Sequence, residues 1–310
     1  MVKLPSLILF LSLVILYGCS NHSEKDTKKP TPDRISFDAV KGIRYYEVKR
    51  RFSTGLSFNE IGFQQEPSWI IEFKSNDTVL AYSPQKKVMQ PFYLQFDHGN
   101  VYNFAKEWFR IKKVTKDSLT IQRLNLVKKE ISKDIRSDVN STYYSKEYIE
   151  KTLKTTPEAL QKPTKADTLY IKKLTAASNA DPGNPKIAFA GRQPVRFTSL
   201  SDMIRVEKIS TVDVLVGRTV SYDYLFPNYK IYINRAYRDF AYEFSVVVDA
   251  EKKIHLTTFG NAEDAAGRKK TLEAIISVYL QNLLKITPGT TLDIPHSSEI
   301  KLIVVGRKNG

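Results

Sequence analysis

A chain of 310 residues that is 42% hydrophobic, with 17 tyrosines and 16 phenylalanines, can build packed cores, and this excludes the disordered class. Its 48 Lys and Arg outnumber 33 Asp and Glu to give +15, which raises nucleic acid as a partner. The cations are spread in short runs such as Lys49-Arg50-Arg51 and no nucleic-acid motif accompanies them. The expectation is therefore no nucleic acid, a largely solvated charge, and attraction to anionic surfaces. A single cysteine excludes a disulfide framework.

Residues 1–18 open with Lys3 and continue as an apolar run from Leu4 to Tyr17. A run of about 14 is short of the roughly 20 residues that span a bilayer and is typical of a secretory signal. It ends in Leu16, Tyr17, Gly18 and Cys19. Leu three positions before the cysteine and a small Gly immediately before it resemble the lipobox of bacterial lipoproteins. The resemblance implies a signal peptide over 1–18, cleavage before Cys19, lipid on Cys19, and retention at a membrane. The expected place is the outer membrane, facing the periplasm. Cleavage removes only Lys3 among charged residues and leaves +14. Residues 19–34 are polar, charged and interrupted by Pro30 and Pro32, and read as a flexible tether of about 20 Å coil length.

Over 35–131 the pattern is strand-like. Strands are predicted at 43–52, 68–73, 78–82 and 92–96, with turns at Asn76-Asp77 and at 97–100. A hairpin joins 108–114 to 118–126 through Thr115-Lys116-Asp117. Some six short antiparallel strands at this spacing suggest a barrel or sandwich, similar in outline to lipocalin-like lipoprotein domains. Its aromatics are expected to form the core. If it were a container, Trp69, Phe92, Phe96 and Trp108 would line the ligand cavity.

Residues 132–185 are rich in Lys, Glu, Ser and Thr and read as a polar connector. Short helices are predicted at 145–153 and from Pro157, a strand at 168–174, and a loop at 176–185.

Over 186–310 the pattern is strands at 229–234, 241–248 and 254–259, the last two joined by a hairpin at 249–253. A helix over 261–284 places Leu272, Ile275, Ile276, Tyr279, Leu280 and Leu283 on one face. Pro288-Gly289 ends it, and 299–305 is a closing strand. The whole chain is predicted α+β. Tyr224-Leu225-Phe226-Pro227, the hairpin over 244–254, Ile286-Thr287-Pro288-Gly289 and the strand 300–305 resemble the C-terminal domain of TonB-type energy-transducing proteins. What that resemblance implies is a binding mode in which an extended peptide joins an exposed sheet edge. The candidate edge is Ile300, Leu302 and Val304, or else the strand 229–233.

Candidate chemistry is sparse. His22, His98, His255 and His296 lie far apart without metal-ligand spacing, and read as surface or turn residues. Asp293, His296, Ser297 and Ser298 are too close in sequence to form a triad. No metal, cofactor or catalytic residue is expected. The functional expectation is a non-catalytic, membrane-anchored envelope lipoprotein that docks an envelope protein. The alternative is a carrier of a small apolar ligand or lipid in the β domain.

Overall fold

A computed structural model describes residues 34–128, 130–131, 137–211, 222–225, 227–260 and 263–308. The lipobox residues Leu16, Gly18 and Cys19, and the tether up to residue 33, lie outside them. Among the described residues no helix is long and apolar enough to cross a membrane.

The first unit is an antiparallel meander: β1 (Arg44–Phe52), β2 (Ile70–Ser75), β3 (Thr78–Ser83), β4 (Val88–Tyr93), β5 (Gln95–His98), β6 (Val101–Phe104), β7 (Glu107–Val114) and β8 (Ser118–Leu124). A two-strand hairpin, β9 (Leu126–Val127) and β10 (Glu130–Ile131), precedes β11 (Val139–Ser145). The sheet order is β4-β3-β2-β1-β11-β8-β7-β6-β5. Chain neighbours are therefore sheet neighbours almost throughout, and β11 returns to pair with β1. The two edge strands, β4 and β5, are separated by Leu94 alone. One bent run of chain thus pairs with β3 by its first half and with β6 by its second, and the sheet nearly closes. Register shifts within β1, β7 and the β2–β3 pairing supply the local bends that such closure needs.

Alternation decides which side chains fill the barrel. Tyr45, Ile71, Phe73, Val79, Leu94, Tyr102, Phe104, Phe109, Ile111, Leu119, Ile121 and Tyr143 are buried in one cluster with Phe37 and Val40. Phe37 stacks on Phe73 at 4.1 Å and Phe104 on Phe109 at 4.5 Å. The Thr115–Ser118 hairpin forms as predicted, with the Thr115 amide donating to the Ser118 carbonyl at 2.8 Å.

The connector contains α1 (Pro157–Gln161) and α2 (Lys165–Ala180), each begun by a threonine cap. The second unit follows: β12 (Arg196–Ser199), β13 (Ile204–Ile209), β14 (Asn228–Asn234), β15 (Phe240–Val248), β16 (Ile254–Thr258), and α3 (Ala265–Ile275), which runs on through Ile276–Leu280 and Gln281–Leu283. The chain ends in β17 (Leu284–Thr287), β18 (Thr290–Thr291), β19 (Ile294–Pro295) and β20 (Ser298–Arg307). The main sheet runs β13-β14-β20-β15-β16, with β20 parallel to β14 and antiparallel to β15. Leu272, Ile275, Ile276 and Leu280 of the helical run pack on Ile231, Ile233, Val246, Val248, Ile300, Leu302 and Val304. The α+β class is as predicted, with the β-rich unit first and the long helix in the smaller unit.

Several expectations are corrected. Residues 168–174 are helix, not strand, because Thr164 and Asp167 form a capping box and Ile171, Thr175 and Ser178 bury at helical spacing. That helix reaches Ala180, so half of the predicted loop is helical as well. The barrel extends past residue 131, since β11 closes it. The predicted helix over 261–284 gives way to β17 at Leu284, four residues before Pro288, because Phe197 of β12 pairs with Ile286. The candidate partner edge fails too. Ile300, Leu302 and Val304 belong to the central strand, are at most 2% exposed, and face the core. The strand 229–233 is likewise internal. The terminal strands of this sheet are β13 and β16, because the return from α3 inserts β20 between two strands that are consecutive in sequence.

Candidate functional site: a cleft where the two units meet

The two units are joined by more than the connector. Residues 53–67, the long excursion between β1 and β2, reach across to the second unit. There the Ala190 amide donates to the Ile61 carbonyl at 3.0 Å. The Gln64 amide donates to the Tyr224 hydroxyl at 2.8 Å. Arg192 forks onto Glu66 at 2.7 and 3.2 Å while its guanidinium lies 4.6 Å over the Tyr224 ring. Phe63 stacks on Tyr222 at 5.0 Å. Gly62 makes the approach possible: its φ is +81°, and a Cβ there would meet the Ala190 carbonyl oxygen at 2.3 Å.

Two buried carboxylates hold the excursion in place. Glu47, fully buried, accepts a bidentate fork from Arg50 at 2.8 and 2.6 Å and the amides of Ser68 and Trp69 at 2.9 and 3.0 Å. Asp167, also fully buried, caps α2, accepts the Ser57 amide at 2.8 Å and pairs with Arg51 at 3.1 Å. Burial pushes the Asp167 pKa up, but the hydrogen bonds from Ser57 and Thr164 win, and it stands below the usual carboxylate value. The short run Arg50-Arg51 is thus a structural clamp rather than a free basic patch.

Beside these contacts lies a cleft of about 630 Å³. One wall is Glu60 and Ile61 of the excursion; another is Pro185, Lys186, Ala188, Phe189 and Ala190. The floor comes from the second sheet. Asn228, Lys301 and Ser245 pair in one row across β14, β20 and β15, with Glu299, Ile300, Pro227, Leu225 and Thr211 around them. The Oδ1 atom of Asn228 is buried and accepts no hydrogen bond. An unmet acceptor of that kind costs about 1–3 kcal/mol. At the rim, Glu299 accepts the Thr257 hydroxyl at 3.4 Å and Lys301 pairs with Glu243, while Glu60 and Lys186 are exposed.

His296 is not a surface residue. It is fully buried, stacked on Phe189 at 3.6 Å behind the cleft wall. The Ser297 carbonyl lies 3.2 Å from Nδ1, which assigns the proton to Nδ1, so the Thr291 hydroxyl at 3.0 Å donates to Nε2. Burial lowers its pKa to about 4. Asp293 is exposed, no opening reaches the imidazole, and the group is a neutral strut. His255 is held by Asp249, Nε2 to Oδ2 at 2.7 Å, and the same carboxylate accepts the Lys253 amide at 2.8 Å. This pair latches the β15–β16 hairpin. It faces a shallow hollow that also includes Glu273 and Ser277. Among the described residues no three His, Cys, Asp or Glu side chains gather as a metal site.

The predicted ligand cavity is only partly assembled. Trp69 and Phe92 line a pocket of about 280 Å³ at the barrel mouth, with Tyr82, Gln90 and Ala105. Phe96 packs instead against Tyr102, 5.5 Å away, beneath the Arg34 guanidinium. Trp108 alternates with inward Phe109 and sits on the opposite face of β7. Sequence reasoning missed the seam cleft altogether: its lining comes from six separate stretches, and of the candidate site residues only Ile300 lines it, singled out for another reason. The buried strut His296 was equally hidden, as nothing local distinguishes it from a loop histidine. No protein-family model and no curated protein matches the sequence.

Proposed function

We propose that this chain is a non-catalytic lipoprotein, anchored through Cys19 to the outer membrane on its periplasmic side. On this reading its folded body docks an extended segment of an envelope protein in the cleft between the two units. The observation that carries the docking is the cleft itself. Its volume falls in the range of about 300–1,000 Å³ that holds ligands, it lies at an interface between two units, and it offers one unmet acceptor at Asn228 among mixed polar and apolar walls. A segment of extended chain supplies backbone N–H donors for that acceptor and apolar side chains for Ile61, Phe189, Leu225 and Ile300. The exposed Glu60 and Lys186 at the rim set the polarity of what enters.

A photocrosslinking residue at Ile61, with another at the exposed Tyr93 of the barrel as control, tests this in intact cells. Docking predicts recurrent crosslinks from 61, not 93, to one segment of one envelope protein. A synthetic peptide of that segment competes, and Asn228→Leu abolishes the crosslink. Equal yields from both positions, or none from 61, overturn it. Metabolic labelling with palmitate, lost in Cys19→Ala, tests the anchor separately.

The alternative reading, a carrier of a small apolar ligand or lipid, rests on the mouth pocket at Trp69 and Phe92. The filled barrel limits it to about 280 Å³ of space. Retention of an apolar molecule through purification, quenching Trp69 fluorescence, is its test.

A further inference from the structure

At the end of the second sheet away from the cleft, the chain turns between β14 and β15 through residues 235–239. Tyr237 stands 54% exposed at that turn. Its ring begins a row with Phe240 and Tyr242, centroids 5.8 and 5.4 Å apart. Two guanidinium groups are built onto this row. Arg238 donates from Nε to the Tyr237 hydroxyl at 3.1 Å and from its terminal nitrogen to the Tyr242 hydroxyl at 3.5 Å. Arg268 of α3 lies 4.7 Å over the Tyr242 ring. The turn is tied to the helix by the Tyr237 amide, which donates to the Tyr279 hydroxyl at 3.2 Å.

Three acids near this surface have partners. Asp239, the carboxylate of the turn, pairs with Arg307 at 3.4 Å and accepts the Lys308 amide at 2.8 Å. Glu273 pairs with Lys269, and Asp264 caps α3 at Gly267. Among the described residues Arg238 and Arg268 hold aromatic partners, and neither pairs with a carboxylate. Arg235, exposed with φ +55°, adds a third cation at the same turn.

We infer that this arginine–tyrosine surface, Arg235, Tyr237, Arg238, Tyr242 and Arg268, is where the folded body rests on the phosphate headgroups of an anionic lipid surface. Guanidinium matches phosphate oxygens bidentately and is weakly hydrated, so it leaves water at low cost. Tyrosine rings with polar hydroxyl ends favour the headgroup level of a bilayer. A cation near an anionic leaflet contributes about 1 kcal/mol, so the three arginines together hold a body of net charge +14 in one orientation. The choice of lipid over another polyanion rests on the proposed anchor. The tether of about 20 Å joins the folded body to that anchor. Contact here leaves the cleft, at the sheet's opposite end, pointing away from the membrane.

The test uses the chain from Ser20, which lacks the apolar run and Cys19 but keeps every strand and helix described above. Sedimentation is compared with vesicles of phosphatidylcholine alone and of phosphatidylcholine mixed equally with phosphatidylglycerol. Binding is expected to the mixed vesicles only and to weaken as salt rises. R238E/R268E is expected to lose about 30-fold in affinity, while R238K/R268K stays closer to the parent. Charge reversal at two exposed barrel lysines, K86E/K87E, is expected to change it by less than about threefold. A tryptophan placed by Tyr237→Trp is expected to be quenched by brominated lipid, which reads contact even if a charge variant folds poorly. Equal loss in K86E/K87E, unchanged binding in R238E/R268E, or no quenching at 237 overturns the assignment. So does retention on a soluble anionic polysaccharide with no binding to vesicles. Because this chain lacks Cys19, failure here leaves the anchor and the cleft to their own tests.

Discussion

The two β units handle their edges in opposite ways. The barrel joins its two edge strands through Leu94 and fills itself with aromatic side chains, leaving small pockets such as the one at its mouth. The second unit keeps an open sheet with β13 and β16 at its ends, covers one face with α3, and leaves the other face and the strand ends to border the cleft. Near-closure shortens the free edge and hides the inner face, so a nearly closed, filled barrel offers little to a partner. The open sheet retains both. The barrel therefore contributes to the site chiefly as a platform, lending the 53–67 excursion as one wall of a cleft floored by the other unit.

Changes inside the barrel should test the platform. Phe73→Ala removes a ring stacked on Phe37 from a fully packed core and is expected to cost about 3–5 kcal/mol. Both tryptophans, Trp69 and Trp108, lie in the barrel, so urea unfolding followed by intrinsic fluorescence reports this unit. An unchanged midpoint would mean that the interior is not packed as described.

The seam carries the next largest effect, and it depends on pH. The pKa of His296 is lowered from 6.5 to about 4, so the unfolded chain binds the proton more tightly than the folded one. The stability from the neutral ring is complete above pH 6.5 and is lost as pH falls from 6.5 to about 4, amounting to about 3 kcal/mol. Circular-dichroism melts across that window should show the loss, and His296→Gln should flatten it. A parallel dependence in the variant would assign the effect elsewhere.

Gly62→Ala forces a methyl group against the Ala190 carbonyl and strains a left-handed backbone. A cost of about 1–3 kcal/mol is expected. The informative readout is location. Hydrogen exchange should rise at Ile61 and Ala190 while the barrel strands keep their protection, since the seam opens first.

Smallest, and opposite in sign, Asn228→Leu removes a buried acceptor without a donor and is expected to stabilise the free protein by about 1 kcal/mol. In the same protein it should abolish crosslinking from position 61. A residue that stabilises when removed yet is needed for binding separates the cleft from the rest of the fold.

Local pattern made much of the barrel legible. The hairpin at Thr115–Ser118 and the strands around 44–52 and 70–83 announce themselves by alternation and turn chemistry. Strand β11 does not, because its inward positions include Ser141 and Ser145, buried serines that give no hydrophobic period. Residues 168–174 mislead by their β-branched and aromatic content, and the capping box upstream outweighs it.

The sequence by itself determined the α+β class, the helix face of Leu272, Ile275, Ile276 and Leu280, and the hairpin at 249–253, since each rests on contacts a few residues apart. Only the tertiary structure decided that Ile300, Leu302 and Val304 form a central strand rather than an edge, because strand order depends on where a distant return inserts. The same holds for the cleft: Ile61, Phe189, Asn228 and Lys301 are far apart in the chain, and no local periodicity encodes their meeting. They converge because a glycine at 62 lets two backbones touch and two buried carboxylates, Glu47 and Asp167, fix the excursion that brings them together.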